Sequence, residues 1–347
     1  VIADLNNDGL DDCIMDVGEQ KPLQVFYQQA TGDFLAEKII TIDSTGEKTT
    51  ILAVDLNGDN YKDIYLAKGA VPFMNQPEKQ WDEIYLNQEG NGFVKDTTFI
   101  GENTISSSVV AADFDKDGDL DLFVGSRVSP ANWPMTPSSK LYLNENGRMV
   151  NQTTTYAEDL EKVGMVTSAI WTDVDNDSWV DLVVVGKWMK PTIFKNVEGK
   201  QLEQIDIAGL ASLNGLWNSI VAADLDNDGF TDYVLGNQGL NNKYRLDAQH
   251  PMQLYAKDFD KNGSIDPIMS HYIDGAYKPY HLRKPMMKQL KSLSKDYTNY
   301  AIYSTTTTDQ ILEKLDTKAM FTFEVNTLHH IILWNEGGEQ LWNRNYI

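Results

Sequence analysis

Six short segments of the 347-residue chain carry side-chain oxygens at one fixed spacing, Asp-x-[Asp/Asn]-x-[Asp/Asn]-[Gly/Asn/Ser]-x-x-Asp. They read DLNNDGLDD, DLNGDNYKD, DFDKDGDLD, DVDNDSWVD, DLDNDGFTD and DFDKNGSID, starting at Asp4, Asp55, Asp113, Asp173, Asp224 and Asp258. Positions 1, 3, 5 and 9 are Asp4, Asn6, Asp8 and Asp12 in the first and Asp55, Asn57, Asp59 and Asp63 in the second. They are Asp113, Asp115, Asp117 and Asp121 in the third, and Asp173, Asp175, Asp177 and Asp181 in the fourth. The last two supply Asp224, Asp226, Asp228 and Asp232, then Asp258, Asp260, Asn262 and Asp266. Calcium is a hard ion that takes about six to eight oxygens at about 2.3–2.6 Å in adaptable geometry. A tight loop can aim positions 1, 3 and 5 at one centre, add the backbone carbonyl of position 7, and close the site with position 9. Position 6 then needs positive φ, which Gly9, Gly118, Gly229 and Gly263 supply freely, Asn60 at modest cost and Ser178 with difficulty. Bare Asx turns account poorly for six such matches with apolar flanks, so the spacing predicts up to six bound Ca2+ ions.

The start of the motif is shared with EF-hands, which require a bidentate Glu at position 12 and flanking helices. Position 12 here is Met15, Leu66, Val124, Val184, Leu235 or Met269, all apolar, which excludes that coordination. Magnesium fits less well, because it keeps several waters and demands a stricter octahedron. The ligand positions hold four carboxylates in each of the loops at Asp113, Asp173 and Asp224 and three in each of the others, 21 in all, against a formal net charge of −22. On this count the Asp55 loop, with Asn60 at position 6, is expected to be the weakest. The acid excess argues against a nucleic-acid partner. The single cysteine, Cys13, excludes an internal disulfide framework and a thiolate metal cluster. No apolar run approaches the roughly 18 residues of a membrane span, so no transmembrane segment is expected.

Short apolar runs precede the first five loops (residues 1–3, 52–54, 110–112, 170–172 and 221–223) and follow them (13–15, 64–66, 122–124, 182–184 and 233–235). Such runs read as strands buried on both faces, with the apolar position-2 residue of each loop plugging the core beneath the ion. A second element recurs as Ile-Tyr-Leu-Asn-x-x-Gly (84–90), Leu-Tyr-Leu-Asn-x-x-Gly (141–147) and Ile-Phe-Lys-Asn-x-x-Gly (193–199), with weaker copies at 25–28 and 332–335. An Asn–Gly turn after an aromatic strand reads as a hairpin. Two hairpins per repeat give four strands, and loop starts 51, 58, 60 and 51 residues apart imply an all-β fold, a β-propeller of four-stranded blades.

At these residues the chain resembles the FG-GAP/VCBS repeat family, which includes the propellers of integrin α-subunit heads and of many bacterial secreted proteins. The resemblance spans most of residues 1–270 and returns at about 325–347. It implies calcium held in the loop of a blade's first hairpin, with the metal serving structure. Asn57, Asn60, Ser178 and Asn262 depart from the family pattern and bear on affinity. Val1 lies three residues before a loop and Ile347 ends a strand-like stretch, so the chain reads as cut at both ends. A single propeller domain over 1–347 is expected, an incomplete ring of about five to six blades.

The Asp258 loop follows the fifth by only 34 residues. Met252–Tyr255 before it matches the aromatic strand of a second hairpin, so this loop is expected to replace the Asn–Gly turn of the fifth blade. Residues 275–320 break the pattern and read as a helical or irregular insertion. Thr307 and Gln310 form a candidate capping box, and Pro285–Leu293 is a weaker helix candidate. Lys278, Arg283, Lys284, Lys288, Lys291 and Lys295 occur with no acid over 275–295, either a patch for an anionic partner such as an acidic glycan or lipid headgroups or, the preferred reading, an insert that packs on the protein's own acidic face or merely solvates it. Adjacent His329 and His330 point to opposite strand faces and cannot chelate together. Cys13 reads as an inert core thiol, and Trp81, Trp133, Trp188 and Trp217 as packing residues before sugar platforms. The expected function is an extracellular or cell-surface binding or adhesion scaffold with a protein or glycan ligand. A polysaccharide lyase or hydrolase on the same scaffold is the alternative, but no acid/base set stands out.

Overall fold

The apolar runs around the acidic loops form antiparallel strand pairs in a computed structural model. It describes residues 1–16, 18, 21–34, 40–42, 47–69, 81–101, 105–129, 132–207, 209–247, 249–337 and 342–346; Ile347 lies outside them. The fold is all-β, with few and short helices, and the described residues form six antiparallel sheets. The first three are simple meanders. They comprise β1 (Ile2–Ala3), β2 (Asp12–Met15), β3 (Leu23–Phe26) and β4 (Ile40–Ile42); β5 (Lys48–Val54), β6 (Asp63–Lys68), β7 (Glu83–Asn87) and β8 (Phe93–Lys95); then β9 (Ile105–Ala112), β10 (Asp121–Val128), β11 (Lys140–Asn144) and β12 (Met149–Asn151). The fourth runs β13 (Met165–Thr172), β14 (Asp181–Met189), β15 (Thr192–Asn196) and β16 (Leu202–Ile205), with β17 (Gly215–Leu216) paired to the end of β14.

In each of these sheets the acidic loop joins the first two strands, and in the second, third and fourth an Asn–Gly turn joins the third strand to the next. The second strands carry the continuous apolar runs because they are covered on both faces: all of β6 and the first six residues of β10 and β14 are buried. The first chain unit, Val1–Pro130, Pro137–Val184 and Ile193–Ile205, stacks these sheets in sequence. Leu5, Ile14, Val25 and Ile42 of the first pack with Ile64, Leu66 and Tyr85 of the second. Tyr65 and Ile84 of the second pack with Val109, Leu122 and Tyr142 of the third. The first strands also meet one another, since the hydroxyls of Thr49 and Thr50 donate to the carbonyls of Ser106 and Ser107, and Ser107 donates to that of Val166.

The second unit, Ala131–Thr136, Val185–Thr192 and Asp206–Ile347, departs from the sequence expectation. The fifth sheet pairs β18 (Ser219–Ala223) and β19 (Asp232–Gly236) with β24 (Ile331–Asn335) and β25 (Trp342–Tyr346). Its third strand is therefore the copy at 332–335, and Met252–Tyr255 is not the fifth sheet's aromatic strand. Those residues lie in β20 (Met252–Lys257), a central strand of a separate sheet ordered β22–β21–β20–β23, with β21 (Asp266–Ile273), β22 (Ala276–Pro279) and β23 (Phe321–Val325). The Asp258 loop joins β20 to β21 as the other loops join first and second strands. Backbone pairing of β19 to β24 spans an insertion that carries its own sheet, and sequence spacing alone could not reveal that long-range closure.

After the short α1 (Thr153–Tyr156) that follows the third sheet, the stretch 275–320 contributes β22 and then α2 (Arg283–Gln289), a 3-10 turn (Lys291–Lys295), α3 (Tyr300–Thr305) and α4 (Thr308–Leu312). Thr307 and Gln310 form the reciprocal capping box at α4. Met286, Leu290, Leu293 and Ile311 bury against Phe259 and Ile268 of the inserted sheet. Trp188 and Trp217 are core residues, while Cys13 in β2 is only half-buried. Among the described residues no helix is long and apolar enough to cross a membrane.

Candidate metal centres

All six acidic loops adopt one hydrogen-bonding scheme. The position-6 amide donates to one oxygen of the position-1 carboxylate, from Gly9 to Asp4, Asn60 to Asp55, Gly118 to Asp113, Ser178 to Asp173, Gly229 to Asp224 and Gly263 to Asp258, at 2.7–3.2 Å. The position-5 amide donates to the position-3 side chain, Asn6, Asn57, Asp115, Asp175, Asp226 or Asp260. Position 5 in turn accepts from the position-7 amide, at Asp8, Asp59, Asp117, Asp177, Asp228 and Asn262. Each of these side chains thus commits an oxygen to the loop backbone. Position 6 has positive φ in every loop, including Asn60 at 71° and Ser178 at 72°. Position 4 does as well, which the sequence reading missed. Asn7, Gly58, Asn176 and Asn227 are types that tolerate this conformation, whereas Lys116 and Lys261 gave no such signal.

The position-9 carboxylates, Asp12, Asp63, Asp121, Asp181, Asp232 and Asp266, are at most 3% exposed. One oxygen accepts from the position-2 amide at 2.9–3.0 Å in all six. In the first five the other oxygen accepts from the end of the third strand, from Gln28, Asn87, Asn144, Asn196 and Asn335. Position 9 therefore ties the loop to its own sheet. Burial, ahead of any neighbouring charge, pushes Asp63 and Asp181 up to about 6 and Asp121 up to about 7. It also raises Asp12 and Asp266.

In four loops, carboxylate oxygens from positions 1, 3 and 9 lie within 4.8 Å of one another: Asp113, Asp115 and Asp121; Asp173, Asp175 and Asp181; Asp224, Asp226 and Asp232; Asp258, Asp260 and Asp266. Position 5 is not part of these groups. In the first two loops Asn6 and Asn57 stand at position 3, and their amides donate to Asp8 and Asp59 at 3.0 Å. The donor set fits a hard cation. Oδ1 of Asp4 and of Asp113 is buried without a hydrogen-bond partner while the other oxygen is held by the loop, and a buried carboxylate oxygen left so suits a cation as its partner. Asp119, at position 7 of the third loop, also has a buried Oδ1 with no partner, and burial then Asp117 push it up to about 6.

Two features of these centres were not read from the sequence. Lys195, which stands where the other repeats have Leu86 and Leu143, reaches Asp175 and also lies 3.4 Å from Asp177. A cation of the protein thus sits on the fourth loop's ligands. The third-strand Asn also does more than turn a hairpin. Asn87, Asn144 and Asn196 each donate to the position-8 carbonyl of their own loop and to the position-2 carbonyl of the preceding sheet's loop, Leu5, Leu56 and Phe114 respectively. Oδ1 of each accepts from the turn glycine, Gly90, Gly147 or Gly199. A Cβ on Gly90 would lie 2.9 Å from Asn6 and one on Gly199 2.8 Å from Asp115, so the turn rests on position 3 of the neighbouring loop. The apolar position-2 plug is buried at Leu5, Leu56, Phe114, Val174 and Phe259. Leu225 is the exception at 43% exposure.

A profile described as FG-GAP-like repeat matches residues 4–66, 74–124 and 173–235, just over half of the chain. The chain belongs to the FG-GAP-like repeat family. No match was found among curated protein sequences. Among solved structures, the chain is similar to BBS1N in a crystal structure with ARL6DN, at 10% identity and TM-score 0.43, over 81% of this chain and 78% of that one. It is also similar to the V. cholerae biofilm matrix protein Bap1, at 11% identity and TM-score 0.32, over 99% of this chain and 64% of that one. Scores this low carry no argument about fold or function.

Proposed function

We propose that this FG-GAP-repeat chain is a calcium-binding β-propeller that serves outside the cell as a binding or adhesion scaffold, its sheets forming the blades and its calcium serving structure. The observation that carries the reading is the coupling of loops to sheets. The first five acidic loops are each tied to their own sheet through position 9, and the first three are clasped from the next sheet by Asn87, Asn144 and Asn196. The contacts between successive first strands support a radial arrangement.

The side chains at positions 1, 3, 5 and 9, with the position-7 carbonyl, would hold each ion. Calcium would supply the positive charge that lets buried carboxylates stay ionised side by side. The chain's own residues fix the rest. The loop amides orient each carboxylate, the apolar plug excludes water from below, and the Asn–Gly turn covers one side. Sites with three or four carboxylates and no bidentate Glu suit the millimolar calcium found outside cells.

Melting curves in calcium and in excess chelator test this reading. A ligand that binds only the folded state adds about 2.7 kcal/mol per site at a hundredfold excess over its dissociation constant. Chelation should therefore lower Tm by many degrees, and an unchanged curve would overturn the structural role.

A further inference from the structure

We propose that the insertion carries a site for an acidic sugar unit of a polysaccharide, in the cleft between the end of β22 and α3. This rests on the binding-scaffold reading and names a ligand class for it. The cleft encloses about 160 Å³ and is lined by Lys278, His281, Arg283, Tyr300, Tyr303 and Ser304, among others. That volume is well below the roughly 300–1,000 Å³ of a drug-sized site and suits a single sugar ring. Arg283 is held in place, its Nε donating to the carbonyl of Tyr297 at 2.6 Å, with its guanidinium 5.9 Å from the Tyr300 ring centre. Lys278 Nζ lies 3.5 Å from the Ser304 carbonyl and 4.0 Å from the exposed Asp274, contacts long enough to yield to a ligand anion.

The charge setting is the reverse of the rest of the chain. Residues 275–295 carry six cations and no acid in a protein of net charge −22, and two of them, Lys278 and Arg283, line the cleft, which favours an anion there. Tyr300 is 55% exposed and lines the cleft, an aromatic ring on which the C–H face of a sugar can stack. The floor is rigid. The Tyr303 hydroxyl donates to the His281 carbonyl at 2.8 Å, and the helices beneath are anchored by Met286, Leu290 and Leu293. Exposed Leu282 and Ile302 nearby could also meet a lipid surface. A concave, donor-lined cleft favours a saccharide over a bilayer, which presents no unit to enclose. Arg and Lys at the walls suit a carboxylate or sulfate.

The test uses the full chain in calcium, titrated with uronate- and sulfate-bearing oligosaccharides, each beside its carboxyl-reduced or desulfated counterpart, and with phosphatidylglycerol vesicles. At least one acidic oligosaccharide should bind about tenfold or more tightly than its neutral counterpart. Lys278→Gln and Tyr300→Ala should each weaken it by about tenfold, as for loss of one charge-assisted or stacking contact, while Lys314→Gln outside the cleft leaves it unchanged. The proposal is overturned if no oligosaccharide in the panel is preferred to its neutral form. It is overturned equally if the two cleft variants bind like the parent, or if vesicles alone show the variant-sensitive binding. Melting with and without chelator on the same samples separates the two readings. Calcium-dependent melting without saccharide preference sinks only the cleft, whereas melting indifferent to calcium sinks the scaffold reading itself.

Discussion

A position-9 carboxylate gives one oxygen to its own loop and the other to its sheet, and its burial sets how readily it carries charge. Burial pushes Asp63 and Asp181 up to about 6 and Asp121 up to about 7 because it disfavours the charge. A carboxyl raised above its unfolded value stabilises the fold at low pH, and that contribution is lost as pH rises through the folded value. Calcium favours the ionised form and reverses the trend. Chelated protein should therefore melt lower at about pH 8 than at about pH 5.5, and calcium binding near pH 6.5 should release protons. Calorimetry in two buffers of different ionisation enthalpy would detect the release, and equal heats in both would refute it. Carboxylate count alone ranks the fourth loop with the third and fifth, but Lys195 occupies its ligands. Lys195→Leu should tighten calcium binding at that loop by about tenfold, the effect of relieving one close like-charge competitor. Calcium titration with the Asp173 loop intact and with Asp173→Ala as a blank reads this, and an unchanged isotherm rejects it.

At the scale of elements, the third strand is a connector between sheets as much as a member of one. Asn144 at the end of β11 satisfies the carbonyls of Leu56 and Leu120 and the amide of Gly147. Removing its side chain leaves polar backbone groups without partners in a tightly packed seam. Each such group costs about 1–3 kcal/mol, so Asn144→Ala should destabilise by about 2–4 kcal/mol and lower Tm even in saturating calcium. A variant that melts with the parent would show that water replaces the clasp. The insertion shows the same logic from the other side. It interrupts the fifth sheet between β19 and β24, yet the Asn335 amide still reaches Asp232 at 2.9 Å, because the fifth loop needs that third strand to hold its position-9 carboxylate.

Across the whole molecule the dominant fact is charge. Six calcium ions would add 12 to a formal −22, and chelation would return the full repulsion to the loops. Mobile cations screen exposed charges over about 10 Å at 0.1 M salt and about 3 Å at 1 M. Raising sodium chloride should therefore raise Tm in chelator much more than in calcium, and parallel shifts in the two series would argue against repulsion between loops as the destabilising force.

What the sequence determined by itself was everything local. The spacing of Asp173, Asp175, Asp177 and Asp181, the positive φ at Ser178, the buried second strands and the Thr307–Gln310 cap each follow from residues within one loop, strand or turn. The family could be read there too, since the repeated loop is itself the signature. Only the tertiary structure decided which strand closes the fifth sheet. Met252–Tyr255 and Ile332–Asn335 are both aromatic strands preceding polar turns, and the pairing of Tyr233 with Leu333 across about a hundred residues chose between them. It also decided the neighbours of the loops, the Lys195 ammonium on Asp175 and Asp177 and the Asn clasps between sheets. A hydrogen bond or ion pair between distant residues leaves no spacing in the chain, because the packing of sheets, not their order, brings its two ends together.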